Sequence, residues 1–186
     1  MEKPVNKKEN GIEKSEKQRI FFINSFSFLA IVVLLTFSFV NVTGKYSLLG
    51  IIEFTIAVIL IANLVLLWLT RNVLLSAILL LAGLYSMFLI LLCTGGIAGT
   101  GVYWLFTFPP AAFFLSGRKA AVAWIGLLYI SIVVIAYLGM THFITVYYSL
   151  IQIRQLLISH GILSICMYIY QSADIDNKIV EQTEKY

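Results

Sequence analysis

Between Glu53 and Asp174 this chain carries no carboxylate. A water-soluble surface needs acids and bases interspersed along it, so a stretch this long without an acid points to lipid as the solvent. Composition agrees. Hydrophobic residues make up 60% of the chain and charged residues 12%, and the mean hydropathy is +0.94; soluble domains have about half their residues apolar and about a quarter charged. The acids other than Glu53 lie at the two ends: Glu2, Glu9, Glu13 and Glu16, then Asp174, Asp176, Glu181 and Glu184. The net charge of +4 is accordingly a matter of topology and anionic lipid, and no nucleic-acid partner is expected.

Apolar runs divide the chain into three parts. Residues 1–19 form a polar tail, disordered or loosely helical at the membrane surface, with six basic and four acidic residues. Residues 20–170 hold six apolar segments, and 171–186 form a polar, helix-compatible cytoplasmic linker. The segments are 20–40, 47–69, 73–92, 102–115, 120–138 and 146–170. The first is longer than the apolar core of a signal peptide, about 7–15 residues, and Asn41-Val42-Thr43-Gly44 after it lacks a small-residue cleavage pattern, so it reads as a retained helix. The fourth covers about 21 Å against a hydrocarbon core of about 30 Å and contains Pro109-Pro110, which break helical bonding. It is either a broken span or a re-entrant piece. Charge favours the span: with six crossings the tail, Arg71, Arg118-Lys119, Lys178 and Lys185 all fall on the cytoplasmic side, and the outer loops carry only Lys45. The expected architecture is an all-α integral membrane bundle of about six transmembrane helices with both termini cytoplasmic. The two halves differ in loop length and in Gly and Pro placement, so the inverted repeat of many transporters is missing.

Polar groups inside a span are costly and therefore functional candidates. Glu53 and Arg154 lie at matching depth, about two turns in from the outer face, which suggests a Glu53–Arg154 pair; the alternative is that each snorkels to the interface. His160, near the middle of the last span, is read as a neutral residue hydrogen-bonded to a neighbouring helix, with a proton-sensitive switch as the other reading. His142 sits in an outer loop. The two histidines have no carboxylate or cysteine nearby, and no metal site or cofactor is expected. Cys93 and Cys166 fall near opposite faces, too far apart for a disulfide. The Gly-rich stretch from Thr94 to Gly101 offers amides that can wrap a ligand, and Gly95, Gly96 and Trp104 join Glu53, Arg154 and His160 as candidate signal-binding residues. Tyr103, Trp104, Tyr147 and Tyr148 also fit an interfacial aromatic belt. Nucleophile–base pairs and paired carboxylates are lacking, so catalysis by this chain is not expected.

The run Thr94-Gly95-Gly96-Ile97-Ala98-Gly99-Thr100-Gly101-Val102-Tyr103-Trp104-Leu105-Phe106-Thr107-Phe108-Pro109, followed by Ala112-Phe113-Phe114-Leu115-Ser116-Gly117-Arg118-Lys119, resembles the membrane-associated sensor (MASE-type) regions that precede GGDEF diguanylate cyclase domains and some histidine kinases in bacteria. The resemblance covers about 25 residues closely, and the six-span layout fits the rest. It implies a sensory module in the bacterial cytoplasmic (inner) membrane, responding to an unidentified small-molecule or membrane signal. It departs from that family at Tyr186, where an output domain is expected and no GGDEF motif or kinase histidine box is found. Tyr168, Ile175 and Ile179 share a heptad face that suits a homodimer through the C-terminal helix, although Ser172 and Gln182 fall in the same register and a frayed tail fits equally. The alternatives from other classes are a small multi-span transporter or channel, with Glu53, Arg154 and His160 along its path, and a purely structural membrane partner.

Overall fold

In a computed structural model the protein is described over residues 5–183, with side chains from 16 to 174. All regular structure among these residues is helical: α1 (Val5–Thr43), α2 (Ser47–Thr70), α3 (Val73–Thr94), α4 (Gly101–Trp104), α5 (Phe108–Ser116), α6 (Arg118–Met140) and α7 (Leu150–Thr183), with 3-10 turns at Ile97–Gly99 and Leu105–Thr107. Five helices are long and apolar enough to cross a membrane: Glu16–Thr43 within α1, then α2, α3, α6 and Leu150–Asp174 within α7. These compose a multi-pass membrane protein. Each leaves large apolar side chains bare, Phe39 and Trp68 at 72% exposure and Ile130 at 63% among them, a surface suited to lipid and not to water.

The polar tail does not fall away from the first span: α1 runs unbroken from Val5. The fourth apolar segment is shorter than the others, Gly101–Ser116, and is built of α4, a 3-10 turn and α5. Pro109 and Pro110 occupy the first turn of α5, where the missing amide hydrogen has no partner to lose. They start a helix instead of kinking one.

Two compact units divide the chain at Gly83 and Leu84, inside α3. In the first unit α1 and α2 pack along their lengths. The buried faces repeat at heptad-like spacing, Ser27, Leu34 and Asn41 on α1 and Leu49, Glu53, Ile56, Leu60, Asn63 and Leu67 on α2, the pattern of close left-handed packing. Gly50 sets how close the helices come. A β-carbon there would stand 2.7 Å from the Val42 amide nitrogen and 2.8 Å from the Ser38 carbonyl oxygen, so only glycine allows the approach, as small residues do in membrane helix pairs. A tight joint links α2 to α3: Arg71, in the left-handed conformation (φ 55°), donates its N–H to Leu67 O, and Asn72 Oδ1 accepts the Leu75 N–H at 3.0 Å as an N-cap.

The second unit is built around aromatic rings. Phe108 is fully buried and meets Phe88 edge-on at 5.8 Å, with Tyr85 and Trp124 further out. Packing of α5 on α6 and α7, and of α6 on α7, completes this core.

Candidate functional site

The Gly-rich turn is a closed structure. Gly95, Gly96 and Gly99 have φ of 80°, 64° and 80°, and Ala98 joins them at 51°; such backbone angles favour glycine. The turn folds on itself through Gly101 N–H to Gly95 O (3.0 Å) and Thr100 N–H to Ile97 O (3.0 Å). The loop between α6 and α7 then fastens it. Tyr148, 6% exposed, accepts the Val102 N–H at 2.9 Å and directs its own hydroxyl hydrogen to the carbonyls of Gly95 (3.0 Å) and Gly99 (3.2 Å). The Tyr147 ring lies against both glycines: a β-carbon at Gly95 would run into the ring, and one at Gly99 would fall 2.6 Å from it. Burial pushes the Tyr148 phenol above its ordinary value of 10.0, Val102's N–H lowers it, and the neighbouring Tyr147 and Tyr103 raise it further.

This arrangement revises two expectations. Tyr148 is the centre of the Gly-rich turn and not a belt aromatic, and α7 begins at Leu150, four residues after the expected start of the last span. The turn's amides at Gly95, Gly96, Thr100, Gly101 and Val102 are engaged within the chain. Tyr103 points away, 68% exposed, and Trp104 is half-buried.

Deeper in the second unit, His160 is fully buried on α7. Its Nδ1 lies 3.4 Å from the Tyr129 hydroxyl of α6, which donates to Leu157 O at 2.9 Å. The Phe106 ring stands 6.2 Å from the imidazole. The Leu105 carbonyl faces the ring, but no atom meets hydrogen-bond geometry with Nε2. His160 thus meets the neighbouring helix α6 through its Nδ1. At the other end of α7, Gln171 donates to Phe113 O at 2.9 Å, Arg118 donates to Ser172 Oγ at 3.2 Å, and its guanidinium sits 5.6 Å from the Tyr168 ring centre. Of the heptad face, Tyr168 touches Phe113 and Arg118 and stays 42% exposed; the side chains of Ile175, Ile179 and Gln182 lie outside the described residues.

Glu53 belongs to the first unit. It is 3% exposed, and Asn41 donates from Nδ2 to its Oε2 at 2.7 Å. Ser38 Oγ, one turn along α1, donates to Gly50 O at 2.7 Å. Arg154 stands on an exposed face of α7 in the second unit. Among the described residues no group of three or more His, Cys, Asp or Glu is placed to hold a metal. Cys93 and Cys166 are free thiols.

Comparison with protein-family models, curated proteins and solved structures finds no match for this chain.

Sequence reasoning missed Asn41, Asn63, Tyr129 and Tyr148. For Asn41 the signal was present: it continues the seven-residue spacing of Ser27 and Leu34, although it sits just beyond the end of the unbroken apolar run. Tyr148 carried none, because a belt tyrosine and a hub tyrosine look alike in one sequence.

Proposed function

We propose that this chain is the membrane-embedded sensory module of a bacterial signalling protein, seated in the cytoplasmic (inner) membrane by six crossings with both ends in the cytoplasm. One observation carries the reading. α7 is a single helix from Leu150 to Thr183, starting two residues after the tyrosine that fastens the Gly-rich turn and continuing past Tyr170, where the apolar run gives way to Gln171-Ser172. A helix transmits displacement along its axis, so a small-molecule or membrane signal that loosens or tightens the outer turn is felt at the far end. The signal acts only through its different affinity for two packings. The likeness of residues 94–119 to MASE-type sensors supports the same reading, and in it the chain performs no catalysis itself.

Fusing residues 1–186 to a diguanylate cyclase output domain tests the proposal. Tyr148→Phe in the fusion is expected to change cyclic di-GMP output while the protein stays in the membrane. A fusion whose output and oligomeric state match those of the free cyclase, with or without the substitution, overturns it. A reporter joined after Tyr186 tests the topology: periplasmic activity rules out six crossings.

The buried Glu53, Asn41 and Asn63 of the first unit favour a second reading, a small transporter. Substrate-dependent flux in liposomes that is lost in Glu53→Gln would select it.

A further inference from the structure

The first unit holds a second polar layer that the Glu53–Asn41 contact does not use. Asn63 (3% exposed) donates from Nδ2 to the Ser76 carbonyl at 3.0 Å, joining α2 to α3. Its Oδ1 has no hydrogen-bond partner. Neither does the hydroxyl of Ser76 (1% exposed) or that of Ser27 on α1 (0% exposed). The bonds from Ser38 to Gly50 and from Asn41 to Glu53 fix the antiparallel register of α1 on α2. Eleven residues back from Ser38 is Ser27 and thirteen on from Gly50 is Asn63, about 16 and about 20 Å along the two axes, so the two residues lie within one turn of each other in depth.

Three unsatisfied oxygens therefore share one layer, each on a buried residue. A buried polar group without a partner is costly, and a serine in a helix ordinarily has a remedy in the carbonyl four residues back. Ser116, Ser131, Ser159 and Ser164 take that remedy here; Ser27 and Ser76 do not. The layer is also lined by small side chains. Ser27, Ser76 and Ala77 stand where neighbouring turns of the same helices carry Ile23, Leu80 and Leu81, all buried.

We infer that Ser27, Asn63 and Ser76 form a binding site for one internal water molecule that bridges α1, α2 and α3. Water matches the atoms offered: it donates to Asn63 Oδ1 and exchanges hydrogen bonds with the two hydroxyls, about the three bonds that a buried water usually makes. A monovalent cation matches them less well. The donors are three neutral oxygens, and the buried carboxyl of this unit, Glu53, is ten residues from Asn63 on α2, about 15 Å along the axis. The site does not depend on the sensory reading and holds equally if the chain is a transporter.

Solid-state NMR on the full chain in lipid bilayers, with asparagine- and leucine-selective labelling and magnetisation transferred from water, tests it. The Asn63 side-chain signal is assigned by its loss in Asn63→Gln. It is expected to gain intensity from water as fast as that of Asn72, which is exposed at the α2–α3 joint, and to lose most of that gain in the Ser27→Ala, Ser76→Ala double variant. Transfer to Asn63 as slow as to the buried leucine side chains would show a dry layer and overturn the inference. So would a shift of the Asn63 signal when choline chloride is replaced by sodium or potassium chloride, which would make the occupant a cation. The wild-type measurement stands even if the double variant fails to fold.

Discussion

The two units use their polar side chains in opposite places. In the first, polar atoms sit inside the helix seam: Ser38 on Gly50, Asn41 on Glu53, Asn63 on Ser76. In the second, the seam at Phe88, Phe108 and Trp124 is aromatic, and most of the bonding between elements gathers at its two ends, in the Tyr148 hub and the Arg118–Gln171 contacts. Water drives apolar helices together in soluble proteins, but lipid gives no such drive, and helices in lipid choose partners by close fit and interhelical hydrogen bonds. A seam bonded from within fixes register directly. A seam bonded mostly at its ends, with only a few contacts such as Tyr129 to Leu157 and Tyr85 to Ser131 between, leans more on ring packing.

That difference can be broken hardest at Gly50. Gly50→Ala drives a methyl into the backbone of α1, which cannot move aside as a side chain can; the expected loss is about 1–3 kcal/mol or more, read as a lower unfolding midpoint in mixed detergent. If Gly50→Ala is neutral, the first seam is looser than described. Next comes the carboxyl. Glu53→Leu strands the Asn41 amide and should cost about 1–2 kcal/mol, whereas Asn41→Leu with Glu53→Leu should recover part of that loss, since removing both partners is gentler than removing one. A double variant as weak as the sum of the singles would mean that the two side chains act separately.

In the second unit Tyr148→Phe keeps the ring and removes the bonds to Val102, Gly95 and Gly99, an expected cost of about 1–1.5 kcal/mol. The same hydroxyl gives the wild type a pH signature. Because the folded phenol titrates above its ordinary 10.0, its contribution is whole below that pH and is lost as pH climbs toward the folded value. Tyr148→Phe should flatten that alkaline decline in thermal stability; an unchanged decline would assign it elsewhere. The smallest effect belongs to Arg118→Gln at the Gln171 end, about 0.5 kcal/mol, because the guanidinium is only partly buried and solvent weakens its contacts. A loss several times larger would make that end, and not the Tyr148 end, the unit's main fastening.

The helices were legible in the sequence because charge and apolar length report directly on what can sit in hydrocarbon. Five apolar segments reappear as long helices with ends shifted by a few residues, and the short fourth segment reappears as the broken Gly101–Ser116 stretch. Pairing was less legible. Glu53 was recognised as a buried acid, but its hydrogen-bond partner is Asn41, a residue at the end of α1 where belonging to the helix or to the loop decides everything. The glycines from Gly95 to Gly101 marked a turn, but the left-handed angles that Gly95, Gly96 and Gly99 take in it were not foreseen. That two tyrosines some fifty residues onward would close over them depends on tertiary placement, which local pattern does not encode.

The joints of the first unit are brief: Gly44 to Tyr46 separate α1 from α2, and Arg71-Asn72 separate α2 from α3. Such short tethers make the order of synthesis matter. When α2 emerges from the ribosome, α1 is a few ångströms of chain away and already displays Asn41, so the acid of α2 can be handed from the translocation machinery to its amide without a stay among lipid tails. Deleting residues 20–43, Asn41 among them, should lower the fraction of the second helix that inserts, read by protease protection of the newly made chain.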